Sequence, residues 1–272
     1  MASRALWRRA VSLPDVEGMQ RHTRDDRTRV VQRLIEMHRR ELGENLLGLA
    51  TQGSYARDSD RDYSDLEIVA FLTTVPGATS WADCVQIWRG LLIDIIWTTK
   101  SEYIARVKEV TPQWYLAGTD RLGALINEPL IDEVNGYKPR DLAAKCRAEA
   151  LRHWPVTQEA TSKVLNAVGR GNTDNVGRLL FAMLDHVLIE LAFINERPYE
   201  SASTALSEAL ALSKLPRGFG DLASVAIEGG HTDPARVREA VRTVFAGLEE
   251  LFAEEGVVLY DDDLVLRPVA AS

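Results

Sequence analysis

Cysteine is scarce: the 272 residues hold two, Cys84 and Cys146, far apart and outside any CxxC or His-rich context. That excludes a disulfide framework and offers no zinc-ligand spacing, so a reducing, cytoplasmic setting is the expectation. Long apolar runs are missing as well. The greasiest stretch, LLFAMLDHVLIELAFI (Leu179–Ile194), is broken by Asp185, His186 and Glu190. A bilayer span needs roughly 20 apolar residues in a row, so this stretch reads as a buried core helix and no membrane partner is expected. Internal repeats and low-complexity segments are absent too. Nor is the body of the chain basic. Residues 1–40 carry ten Arg against five Asp and Glu, a local +5; with a net −8 overall, the rest stands at −13. Nucleic-acid binding is driven by Lys and Arg displacing counterions, so so acidic a body is a poor partner for it. It suits a cationic small molecule, or serves solubility alone.

What is present is ordinary globular material, 46% apolar and 26% charged, long enough for one large or two modest domains. The opening MASRALWRRAVSL is Arg-bearing and free of acids. It superficially resembles an organellar transit peptide but lacks the apolar core of a secretory signal, and residues 1–22 read as a basic extension. From Thr23, TRDDRTRVVQRLIEMHRRELG begins with a capping pattern, carries an apolar stripe at helical spacing and stops at Gly43. LLGLATQG, DLEIVAFL and LLIDIIW read as short buried strands, while WADCVQIWRG fits no single period. After about residue 140 the texture turns helical. Segments 139–153, 156–169, 174–195, 201–213, 218–229 and 233–255 have helical periodicity, separated at Pro155, Gly169–Gly171, Pro198, Pro216 and Gly229–Gly230. The closing VVLYDDDLVLRP reads as strand-like. The expected class is α+β: an N-terminal domain with a mixed β-sheet flanked by helices over 23–140, then a helical bundle over 141–272.

The chemistry concentrates in QGSYARDSDRDYSDLEIVAFL. On a strand, residues i and i+2 share a face, so Asp65 and Glu67 project together. Two such carboxylates repel, protonate, or bind a cation. Magnesium is the apt partner, being a hard ion that takes one or two carboxylates along with substrate phosphates. Asp94 is a third acid, alone inside LLIDIIW, where a buried strand should be apolar. Gly53 lets backbone approach a ligand, Ser54 offers a hydroxyl to phosphate, and Arg57 adds a guanidinium fork. Singly, a Gly-Ser pair is usually a turn and a DxE usually a solvated face. Their order is the informative part.

That order, a strand with Gly-Ser, a gap, Asp-x-Glu on a strand and a later acid, resembles the nucleotidyltransferase superfamily that includes DNA polymerase β. EATSK and SKLPRGFGDLASVAIEGGHTD follow in the order found in aminoglycoside 4′-O-nucleotidyltransferases, the kanamycin nucleotidyltransferase-like family, and the likeness runs from about Thr23 to Pro268. The resemblance implies two Mg²⁺ ions and ATP or another NTP as co-substrate. It implies Asp65, Glu67 and Asp94 as metal ligands, and Gly53, Ser54, Arg57 and Lys163 around the nucleotide. Glu159, with Lys163 four residues on, would be the general base on a sugar 4′-hydroxyl. The same two residues also satisfy an ordinary exposed i,i+4 ion pair. An aminoglycoside acceptor, antibiotic resistance and a homodimer with the site between subunits complete what is implied. One departure stands out: where relatives carry drug-binding carboxylates, this chain has Val85 or Gln86, and Pro155 or Val156. Asp83, Glu102 and Glu128 are possible substitutes. The alternatives are a different hydroxylated acceptor, or a non-catalytic nucleotide-binding or toxin–antitoxin-type module. Completeness of the acids, Gly-Ser, Arg57 and Glu159 favours the enzyme. His186 reads as a satisfied core histidine, and His153 has no recognisable partner spacing.

Overall fold

The computed structural model describes residues 18–77, 79–171 and 173–260. The chain divides into two compact units, Met1–Arg140 and Asp141–Ser272. Most of the basic extension, residues 1–17, and the end of the strand-like tail, residues 261–268, lie outside the described residues, and Val257–Tyr260 form no strand.

In the first unit, Thr23 caps helix α1 (Arg24–Leu42) through the expected reciprocal box. Its hydroxyl accepts from the Asp26 amide, and the Asp26 carboxylate accepts from the Thr23 amide. These bonds, with Arg29, hold the Asp26 carboxyl down at about 2. The sheet strands are β1 (Leu46–Gln52), β2 (Leu66–Leu72), β3 (Trp81–Trp88), β4 (Leu91–Thr98) and β5 (Gly123–Ile126). They lie in the order β3-β4-β2-β1-β5, with β2 and β4 parallel and every other pair antiparallel. The unit also holds short helices α2 (Gly53–Ala56), α3 (Lys100–Tyr103) and α4 (Trp114–Ala117), the two-turn α5 (Glu128–Asn135), a 3₁₀ turn at Gly43–Asn45 and a π-helical turn at Ile104–Lys108.

Alternation along the strands sorts two cores. Leu66, Ile68, Ala70, Leu91, Ile93 and Ile95 pack with Val31 and Leu34 of α1. Val69 and Phe71 turn the other way, toward Tyr103, Val107, Ile131 and Val134. The segment WADCVQIWRG, which resists assignment from its period, is the edge strand β3. Val85 and Ile87 stay exposed there, so no burial pattern disciplines its residues.

The second unit is helical: α6 (Leu142–Gly169), α7 (Thr173–Ile194), α8 (Ala205–Ala209), α9 (Phe219–Ile227) and α10 (Pro234–Glu254). Pro155 was expected to separate two helices, yet α6 runs through it. Proline there forfeits one backbone hydrogen bond to the carbonyl a turn earlier. Tertiary contacts on both sides of it compensate. Trp154 stacks on Phe245 of α10 at 5.0 Å, and the Thr157 hydroxyl donates to buried Glu190 of α7 at 2.9 Å. The helix expected over 201–213 shrinks to α8, because the Ser201 hydroxyl bonds to those of Ser203 and Thr204 rather than serving a helical turn.

Candidate active site

The ladder of the sheet sets the acids in one row. Glu67 of β2 lies opposite Asp94 of β4, with Gln52 of β1 on one side and Val85 of β3 on the other. Residues paired across strands share a face, so Glu67 and Asp94 emerge together on the side away from α1. Asp65 stands just before β2, two residues from Glu67, and adds its charge to theirs. Burial lifts the Glu67 carboxyl to about 7, helped by Asp65, Asp120 and Asp94 and opposed by Arg57. Asp94 is raised by burial and by Asp83 and Asp65. Its Oδ1 is buried without a hydrogen-bond partner.

These are the marks of a site that a cation would relieve: like charges drawn together, one carboxyl pushed toward neutrality and one oxygen unsatisfied. Among the described residues, no three His, Cys, Asp or Glu side chains are gathered closely enough to hold a metal ion between them. Glu67 and Asp94 stand as a pair, and the ions suited to a pair of carboxylates are hard ones that complete their shell with phosphate and water.

Gly53 is held against Glu67. With φ at +66°, it occupies the left-handed region, and a Cβ placed there would come 1.5 Å from Glu67 Oε2. Gly53→Ala should therefore cost about 1–2 kcal/mol from the backbone strain and also push the Glu67 carboxylate from its place. A thermal melt and a turnover assay on the same variant check this. A variant with wild-type melting and full activity would show the close approach to be unimportant.

Several residues without any sequence signal hold the site in shape. Asp120, in the loop before β5, accepts from Gln52 Nε2 at 2.9 Å and from Arg57 Nη1 at 3.3 Å. The Tyr103 hydroxyl donates to Gln52 Oε1 at 3.1 Å, and buried Lys108 donates to the Asp120 carbonyl. This network places the Arg57 guanidinium beside Glu67. Arg27, which looks like a solvated helix arginine, is 1% exposed. It donates to the carbonyls of His22, Arg61 and Ser64 and to Asp60 Oδ2 at 3.2 Å. Arg24 joins it on Asp60 and also reaches Asp58. The loop between α2 and β2 is thus tied to α1 immediately before Asp65.

Glu159 and Lys163 belong to the second unit. They meet on α6 as an exposed pair, Nζ to Oε1 at 2.7 Å, and the bond to Lys163 lowers the Glu159 carboxyl. The histidines differ from expectation. His186 is partly exposed rather than a core residue, and its Nδ1 lies 3.2 Å from His153 Nε2. They are 33 positions apart, so only the packing of α7 on α6 could reveal the pair. Burial and mutual repulsion hold His153 down at about 4, and burial lowers His186 as well.

Residues 157–258 match the family model described as the KNTase C-terminal domain. Over 247 residues the chain is 21% identical to an aminoglycoside nucleotidyltransferase (4′) from Bacillus, covering 87% of this chain and 94% of that protein. It is 22% identical, with the same coverage, to an aminoglycoside nucleotidyltransferase (4′) from Staphylococcus aureus. Among solved structures, a nucleotidyltransferase-like protein from Exiguobacterium sibiricum superposes with a TM-score of 0.45 at 12% identity, over 82% of this chain and 75% of that one.

Proposed function

We propose that this chain, a member of the aminoglycoside nucleotidyltransferase family, transfers a nucleoside monophosphate from Mg-ATP to the 4′-hydroxyl of an aminoglycoside, releasing pyrophosphate. The observation that carries the reading is the Glu67–Asp94 row, with Gly53 pressed against one carboxylate and an unsatisfied oxygen on the other. Asp65, Glu67 and Asp94 would hold Mg²⁺, two ions in the reaction complex, which supplies charge neutralisation at the phosphates. The Gly53 amide, the Ser54 hydroxyl and Arg57 would bind and orient the triphosphate, with Asp120 keeping the Arg57 fork in place. Glu159 would take the proton of the attacking hydroxyl, and Lys163 would keep that carboxylate ionised while lying beside the phosphates. A cytoplasmic homodimer is the assembly this reading carries with it.

The acceptor is the part most open to a second reading. Val85, directly opposite Asp94, and Val156, three residues before Glu159, are both exposed apolar residues at or beside positions where the resemblance implies drug-binding carboxylates. Asp83 partly answers this. It lies two residues from Val85 on the same face of β3, close enough for its charge to raise Asp94. Glu102 is instead paired with Arg106, and Glu128 sits in the first turn of α5. We assign Asp83 to the acceptor's ammonium groups. An acceptor with fewer ammonium groups and more apolar surface is the alternative that Val85 and Val156 favour.

Pyrophosphate release with Mg-ATP across an aminoglycoside panel, including a 4′-deoxy compound, tests the assignment. Turnover is expected only with drugs bearing the 4′-hydroxyl. Equal turnover of the deoxy compound would refute the position, and silence across the panel would refute the drug class. Glu159→Gln is expected to lower the rate by about 10²–10⁴-fold while nucleotide affinity is retained. An unchanged rate would remove Glu159 from the base's role.

A further inference from the structure

The β3–β4 hairpin closes through Arg89 and Gly90, between the paired Trp88 and Leu91. Both turn residues have positive φ, 49° for Arg89 and 78° for Gly90. Two-residue turns of this hand favour Asn, Asp or Gly at the first position, and arginine there is strained. A strained choice at a turn points to what the side chain does. The Arg89 guanidinium sits 4.8 Å from the centre of the Trp88 ring, and Arg33 of α1 sits 5.3 Å from the same ring. Two cations gathered at one indole repel each other. Among the described residues, neither has an ion-pair partner. The neighbouring Arg29 differs, being matched by Asp26 at 2.6 Å.

These side chains border a cavity of ≈ 320 Å³ that His22, Arg29 and Asp26 also line, the Asp26 carboxylate being taken up by the Thr23 amide and by Arg29. The Nε2 of His22 is buried without a hydrogen-bond partner. Leu91, at the base of the cavity, belongs to the core on the α1 side. Glu67 and Asp94 emerge on the opposite side of the sheet, so this cavity is separate from the acid row. Unmatched guanidiniums, an unsatisfied imidazole nitrogen and a flat ring together describe a receptor for a compact anion with several oxygens.

We propose that this cavity is a phosphate-group site, in which Arg33, Arg89 and His22 grip the oxygens and Trp88 forms the wall. The phosphate chemistry is shared by inorganic phosphate, pyrophosphate and the tail of a nucleotide. The full-length protein is titrated calorimetrically with each of the three, in EDTA and at low ionic strength so that surface charge is not screened away. The expected result is binding of at least one of them, with the strongest ligand identifying the source.

Arg89→Asn is the informative variant, because asparagine suits this turn and the fold should melt at the same temperature or higher. It should weaken binding at least 10-fold, as should Arg33→Gln. Arg39→Gln, an exposed arginine in the last turn of α1 and outside both sites, should leave it unchanged. Unaltered affinity in Arg89→Asn and Arg33→Gln overturns the proposal. So does loss in Arg57→Gln alone, which would put the anion among the residues assigned to the triphosphate. Absence of binding for all three anions at millimolar concentration overturns it as well.

Discussion

Replacing Glu67 by Gln is expected to stabilise the metal-free protein at pH 8 while abolishing nucleotidyl transfer. In the folded protein, burial and neighbouring carboxylates hold the Glu67 carboxyl at about 7, against an ordinary value of 4.5. The folded state therefore binds this proton more tightly than the unfolded chain does. Below about pH 4.5 both states carry it and there is no penalty. As pH rises toward 7, the unfolded chain gives up the proton while the folded one retains it, so stability falls. Above 7 the folded state holds an unfavourable carboxylate, at a cost of at most about 3 kcal/mol. Glutamine keeps the shape without the charge and can donate to the unsatisfied Asp94 oxygen. Melts at pH 8 and pH 4.5 should show the variant ahead at the first and level at the second. Magnesium should raise the melting temperature of the natural protein at pH 8, and do so less at pH 4.5, where protons compete for the carboxylates. It should do little for the variant. A variant that is destabilised at pH 8, or that responds fully to magnesium, would contradict the assignment.

The second large effect is expected at Arg27. Arg27→Met should lose about 3–5 kcal/mol, because it leaves Asp60 buried beside one remaining cation and strands the carbonyls of Arg61 and Ser64. Arg27→Lys should recover little, since a single ammonium cannot span acceptors arranged for a planar fork. The loss is read by denaturant unfolding. Activity should drop by more than the fraction of unfolded protein explains, because the loop that delivers Asp65 is no longer tied to α1. Combining Arg27→Met with Asp60→Asn should restore part of the stability, a coupling that separates the buried charge from mere loss of packing. Additive losses would contradict this account.

What could be read from the residues alone follows from how local each feature is. The α1 cap needs only Thr23 and Asp26, three positions apart, and the strands that carry the acids announce themselves by apolar runs interrupted by charge. The assignment of Arg27 and Asp120 needs partners that are 33 and 63 positions away. No pattern in a single segment contains that information. The edge strand β3 escaped because exposure removes the burial signal, and the four-residue β5 because it is too short to have a period. Pro155 misled in the other direction. Its local preference is genuine, and contacts to α7 and α10 outweigh it. The histidine pair combines both difficulties, a long separation and a partly buried face.

The parallel pairing of β2 and β4 also bears on how the acid row tolerates change elsewhere. Glu67 and Asp94 stand on adjacent strands at matched register, so their backbones are about one inter-strand spacing apart, roughly 4.8 Å. The peptide hydrogen-bond ladder sets that interval, whatever side chains pack beneath it. Core residues on either layer can be exchanged in bulk and shape while the interval persists. A one-residue slip of β4 against β2 is another matter, since it would turn the carboxylate of Asp94 to the α1 side. The gauge of this row is thus written in main-chain geometry, tolerant of substitution and intolerant of insertion.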